Sequence, residues 1–234
     1  MTVPVFYAAR RPVVTTDIKQ TRLWNILFRV ANSDWATLIL EAWRLVQKIR
    51  AERLVGLYEV LDFEHTLELL DDEGNEAIYH KLETVRLLQD YVAAYVDHAW
   101  GKGQIFADYK CSPGIPVDRY RCGHKTCVLI SLREAMRRGD ILRICIDRTI
   151  RNGFDTGTGW SETVVLHRTH RFQIAVIFPA ERPPQRVALL EVNQNRTTPL
   201  GEANTQVMPD GRTRVFWETS NPKLFETYTL KWTW

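Results

Sequence analysis

Cysteine is scarce in this chain: Cys111, Cys122, Cys127 and Cys145 are the four in 234 residues. That density is far below a disulfide-stapled scaffold, and reduced thiols in a cytoplasmic protein are expected. No leader is visible, because "MTVPVFYAARRPVVTTD" lacks a continuous apolar stretch and Pro4 and Pro12 interrupt it. The longest apolar run, around residues 35–46, contains Glu41 and Arg44. It falls short of the roughly 20 residues that span a bilayer, so no transmembrane segment is expected. The net charge of +3 and pI of about 8.7 are mild, below the pI of about 9 and above at which charge alone points to nucleic acid. Phosphate-binding loops, HExxH and the G-x-S-x-G elbow are missing. No internal repeat of solenoid or propeller length is evident.

What is present is an ordinary globular composition, 45% hydrophobic and 25% charged, in a chain long enough to bury a core without staples. The early residues carry a helical period. Thr16 or Asp17 can cap a first helix with Ile18, Trp24, Leu27, Phe28 and Ala31 at helical spacing. Ser33 or Asp34 can cap a second, with a stripe of Trp35, Leu38, Ile39, Ala42, Val46 and Ile49. Leu40, Trp43 and Leu45 widen that stripe, and a helix apolar on several sides must touch something on each. Trp24, Trp35, Leu38, Ile39 and Trp43 are therefore the candidate surface for a protein partner or self-association. Packing on the rest of the chain and a membrane surface are the alternatives.

From about residue 53 the period changes to two. "LDFEHTLELL" sets Leu61, Phe63, His65, Leu67 and Leu69 against polar neighbours, and "DDEGN" reads as a hairpin turn with Gly74 at positive φ. "EAIYHKLETVRLL", "KTCVLISL", "ILRICIDRTI", "SETVVLHR", "RFQIAVIFP", "RVALLEVN" and "RTRVFWET" read as further strands, and "REAMRRGD" as a short helical turn. The final "YTLKWTW" alternates strictly, placing Tyr228, Leu230, Trp232 and Trp234 on one face as a strand lining the core requires. The expected fold class is α+β, mainly β: an antiparallel β-sandwich (53–234) with a short N-terminal helical pair (1–52).

Three constellations bear on chemistry. Cys111, Cys122, His124 and Cys127 supply three thiolates and an imidazole, enough for a tetrahedral zinc ion, although the usual paired C-x2-C knuckles are absent. Otherwise no cofactor is expected. Asp97 and His98 are an acid–base pair in sequence. Arg133, Arg137, Arg138, Arg143, Arg148 and Arg151 crowd one segment, and arginine suits phosphate recognition, so nucleic acid is a second candidate partner.

From about residue 53 to the end, "YEVLDFEHTLELLDDEGNEA", "CSPGIPVDRYRCGHK", "LISLRE", "RTIRNGF", "FPAERPP", "PDGR" and "ETYTLKWTW" resemble a group of uncharacterised bacterial β-rich accessory and regulatory domains that end in a Tyr-x-Leu-x-Trp-x-Trp strand. Some of these are joined to signalling or conflict-system components. The resemblance implies a fold and carries no catalytic residues. With the missing motifs, it leads to the expectation of a non-enzymatic binding or interaction module of a bacterial cytoplasmic regulatory or defence-type assembly. A metal-assisted hydrolase using His124, Asp97 or His98 and a nucleic-acid-binding protein are the alternatives.

Overall fold

The computed structural model describes residues 56–154 and 157–234. Strands make up 67% of these residues. They run β1 (Tyr58–Leu69), β2 (Glu76–Leu87), β3 (Val92–Ala99), β4 (Gln104–Ser112), β5 (Ile115–Cys122), β6 (Lys125–Met136), β7 (Ile141–Arg151), β8 (Thr158–Val164), β9 (Thr169–Phe178), β10 (Arg186–Glu191), β11 (Arg196–Leu200), β12 (Thr205–Val207), β13 (Thr213–Ser220) and β14 (Thr227–Thr233). The helical content is two single 3-10 turns, Val192–Gln194 and Glu202–Asn204. This corrects the α+β expectation: the described residues are nearly all β, with no α-helix among them. The expected helical pair, with Trp24, Trp35, Leu38, Ile39 and Trp43, lies outside the described residues, so partner binding through such helices has no support in the structure. "REAMRRGD" is corrected as well. β6 continues through Met136, and Arg137–Asp140 turns tightly into β7.

Three sheets form, in the orders β12-β13-β9-β1-β2-β7-β4, β11-β10-β14-β8 and β3-β6-β5. The pairing is antiparallel with one exception: β1 runs parallel to β9, Val60 opposite Thr169 and Phe63 opposite Phe172. The two smaller sheets pack on the seven-stranded one. His65 on β1 reaches Ser161 and Thr163 on β8, and Lys81 on β2 reaches Tyr95 and Asp97 on β3.

The alternation reads as expected where the strands are regular. Phe63, His65, Leu67 and Leu69 are buried. Leu61 is not, because a bulge between Val60 and Asp62 shifts the phase and gives the inward place to Val60. Gly74 takes φ +77 in the β1–β2 turn, a conformation that side-chain-bearing residues resist.

On β14 and the residue that follows it, Tyr228, Leu230, Trp232 and Trp234 are all buried. Phe178 meets both tryptophans edge-on, with ring centroids at 5.6 and 5.8 Å, and the two indoles meet each other at 6.4 Å. Edge-to-face contacts match the ring quadrupoles. Trp232 lies against β8 at Gly159, where a Cβ would sit 2.2 Å from its ring. The missing side chain is therefore what lets the indole seat.

Candidate functional site

A second region of the interior is ionic. On β2, Lys81 and Glu83 occupy the same inward phase as Ala77, Val85 and Leu87. Tyr95 and Asp97 point inward from β3, and Arg148 points inward from β7 in phase with Leu142, Ile144, Ile146 and Ile150. Lys81 Nζ donates to Tyr95 Oη at 2.6 Å and to Asp97 Oδ1 at 3.2 Å, and lies 3.1 Å from Glu83 Oε2. Tyr95 in turn donates to Glu83 Oε2 at 2.5 Å. Asp97 Oδ2 accepts from Tyr109 at 3.2 Å and from Arg148 Nη1 at 3.4 Å. The Arg148 guanidinium stacks 3.8 Å from the Tyr79 ring centre.

Burial disfavours the Lys81 ammonium, but Tyr95, Glu83 and Asp97 outweigh it and hold its pKa well above the ordinary value. Burial likewise pushes the Asp97 carboxyl up, and Lys81 and Arg148 outweigh that, leaving it below the ordinary carboxylate value. Both groups are thus charged at neutral pH. Desolvating such charges costs several kcal/mol each, so a buried network of this kind contributes little net stability compared with apolar packing. Its presence in a core is a pointer to function.

Two cavities lie over this network, along β8 and its continuation to His167. One of about 100 Å³ is lined by Tyr58, Lys81, Glu83, Tyr95, Arg148 and His167 among others. The second, of about 260 Å³, is lined by His65, Ile105, Phe154, Ser161 and Lys231 among others. They share Tyr79, Trp100, Arg148 and Glu162 as walls. β8 and β3 are each the edge strand of their sheet, and the cleft opens between them. At its mouth Trp100 Nε1 donates to Glu162 at 3.1 Å, while Lys125 sits 4.1 Å over the Trp100 ring.

Two buried polar atoms on residues that line this space have no hydrogen-bond partner: Arg148 Nε and His167 Nδ1. An unmet buried donor or acceptor costs about 1–3 kcal/mol. The His167 ring stacks on Tyr58 at 4.0 Å between centroids.

The histidines here are all poor bases. Burial, then the charges of Arg148 and Lys81, bring His65 down to about 3. Burial and Lys81 bring His98 to about 4, against the opposing pull of Asp97. Burial brings His167 to about 4, with Glu83 opposing. Ser161 Oγ lies 2.9 Å from His65 Nε2, and His65 Nδ1 is 2.8 Å from Thr163 Oγ1. This has the spacing of a nucleophile and its base. However, the third member is a hydroxyl rather than a carboxylate, and an imidazole near 3 is too weak a base at neutral pH.

The residues expected from sequence are dispersed. Cys122 and Cys127 approach each other on the β5–β6 hairpin, and burial raises the Cys127 thiol to about 11, with Cys122 adding to it. Cys111 is on β4, in a different sheet, with its thiol toward the Gly114 carbonyl. Among the described residues no group of three or more His, Cys, Asp or Glu side chains is placed to hold a metal ion, and the set with His124 does not assemble into one. Asp97 and His98 face opposite sides of β3: Asp97 joins the ion network, and His98 Nδ1 lies 3.3 Å from Cys127 Sγ.

The six arginines do not share a face. Arg148 is buried. Arg143 and Arg151 are on the other side of β7, with Arg151 paired to Glu76 and Asp108. Arg133 lies within β6 at positive φ, and Arg137 and Arg138 occupy the turn after that strand.

Sequence reasoning passed over Lys81, Glu83, Tyr95 and His167. The signal was a charged residue in phase with apolar ones: Lys81 and Glu83 between Ala77 and Val85, and Arg148 between Ile146 and Ile150.

No protein-family model matches the chain, and no curated protein matches it. Among solved structures it is similar to an M1 zinc metallopeptidase from Deinococcus radiodurans, at 11% identity and a TM-score of 0.45 over 74% of this chain and 42% of that one. A mutant of that enzyme bound to a Tyr-Ser-Ala substrate gives 13% identity and a TM-score of 0.46 over the same shares. The chain thus spans less than half the length of these enzymes, and a likeness at this level carries no statement about activity.

Proposed function

We propose that this chain is a non-enzymatic binding module that holds a small ligand in the cleft between β3 and β8. One observation carries the reading: the shifted groups buried beside the cleft move away from neutrality, the exception being Lys125 at the mouth, which burial lowers. His65, His98 and His167 are pushed down to between about 3 and 4, Lys81 is pushed up, and Asp97 is held down. Acid–base catalysis calls for a group titrating near the working pH. Here the charges stay fixed across the neutral range, which favours pre-organised recognition over proton transfer.

The hydrolase alternative has the Ser161–His65 contact in its favour and the weak basicity of His65 against it. Nucleic-acid binding loses ground because the arginines are spread over opposite sides of β7 and a turn. The finer reading, an accessory module of a bacterial cytoplasmic regulatory or defence-type assembly, draws on the resemblance of residues 53 to 234 to such domains.

Ligand-observed NMR against a panel of small polar compounds tests the reading. Saturable binding is expected, weakened by Trp100→Ala at the cleft mouth, with the bound compound recovered unchanged. Binding insensitive to Trp100→Ala, or conversion of the compound, would overturn it.

A further inference from the structure

The carboxylates beside the cleft already have partners. Glu83 receives Tyr95 and Lys81, and Asp97 receives Lys81, Tyr109 and Arg148. On the residues lining the cleft the orphaned atoms are a guanidinium N–H, Arg148 Nε, and an imidazole nitrogen, His167 Nδ1, the other two among the described residues being the Trp232 and Trp234 indole N–H groups. Arg148 is more than nine-tenths buried and borders both cavities. Its Nε can only donate, so what the site lacks is an acceptor.

The charge of the lining points the same way. Lys81, Lys125, Lys231 and Arg148 border the two cavities, against the carboxylates of Glu83 and Glu162 and of Asp97, which pairs with Lys81 and Arg148. An anion entering this space meets an excess of cations. Tyr79 covers one face of the guanidinium and the Phe106 ring lies 5.4 Å from it, which favours approach in its plane, along the edge that carries the N–H groups. A planar carboxylate satisfies that geometry. Phe63 and Phe172 in the smaller cavity, and Ile105 and Phe154 in the larger, offer apolar wall to the rest of the ligand. Cavities of about 100 and 260 Å³ lie at or below the small end of ordinary ligand pockets, which begin near ~300 Å³.

We propose that the cleft binds a small organic carboxylate, its anionic head along the Nε edge of Arg148 and its short apolar body against the aromatic walls. This deepens the reading of the chain as a binding module and rests on it.

The test uses the full chain with three probes: benzoate, its neutral counterpart benzamide, and inorganic phosphate, each titrated calorimetrically and by thermal shift. Benzoate is expected to bind saturably and at least tenfold more tightly than either of the others. Arg148→Lys, which keeps the charge opposite Asp97 but removes the planar fork, is expected to lower benzoate affinity at least tenfold. Should that variant fail to fold, the comparison of benzoate with benzamide on the unaltered chain still decides. Equal binding of benzoate and benzamide, or tighter binding of phosphate, overturns the carboxylate assignment and leaves the binding-module reading standing. The same holds if none of the three binds while other compounds of the wider panel do. If no compound of either set binds, both fall.

Discussion

The two regions of the interior are built on the same strand alternation and filled with opposite chemistry. Under β14, four inward positions in a row are Tyr228, Leu230, Trp232 and Trp234, met by Phe172 and Phe178 from β9. Under β3, the inward positions hold Tyr95 and Asp97, met by Lys81 and Glu83 from β2 and Arg148 from β7. Aromatic packing gains free energy from apolar area and ring contacts, against the desolvation of the Trp232 and Trp234 indole N–H groups, which are buried without a partner. The ionic region must recover the desolvation of four charges through geometry alone. The lesson is one of division: the aromatic region supplies stability, and the ionic region spends part of it to keep fixed charges beside an open cleft.

Acid should separate the two regions most strongly. His65, His98 and His167 titrate near 6.5 when unfolded and near 3 to 4 when folded. Below pH 6.5 the unfolded chain takes up protons that the folded chain refuses, so stability falls as pH drops from about 6.5 toward 4. Denaturant midpoints across that range should show a dependence approaching three protons. A flat profile would mean that the ionic region is open to water. The aromatic region has no titrating group of this kind and should unfold only with the whole.

Asp97→Ala comes next, since it leaves Lys81 and Arg148 without their shared carboxylate. A loss of about 3–5 kcal/mol is expected, with part of it recovered when Lys81→Met is added. A loss below about 1 kcal/mol in equilibrium unfolding would show that the network is no tighter than a surface pair. On the aromatic side, Gly159→Ala places a methyl group into the Trp232 ring. Overpacking of this kind costs about 1–3 kcal/mol, and altered tryptophan fluorescence should accompany it. The smallest effect belongs outside both regions. Arg171 pairs with Asp62, Glu64 and Glu218 at a half-exposed site, and Arg171→Ala should cost no more than about 1 kcal/mol.

The aromatic region was legible in the sequence because its signal is local: strict alternation of large apolar residues has one reading. The ionic region obeys the same alternation, but its inward residues are charged, so a search for apolar phase skips it. β3, β4 and β5 were hidden for related reasons. β3 carries small alanines at its second and third positions and Asp97 inward, β4 shifts register twice against β7, and every residue of β5 is exposed. The arginine segment misled in a different way. Counting charge along the chain groups Arg143 with Arg148, whereas strand parity puts one on the surface and the other inside. The pairing of β1 with β9 leaves no local trace, because register between distant strands is fixed by the assembled core.

That parallel pairing also dictates an order of events during synthesis. β1 and β2 can form a hairpin as soon as both have left the ribosome, yet the other edge of β1 waits for β9, which arrives seven strands later. Until then β1 keeps a row of unpaired amides and carbonyls that any stray strand can use. Closing so long a loop late is slow, and nascent chains of this protein should be most prone to clump, or most in need of a chaperone, just before residue 178 emerges.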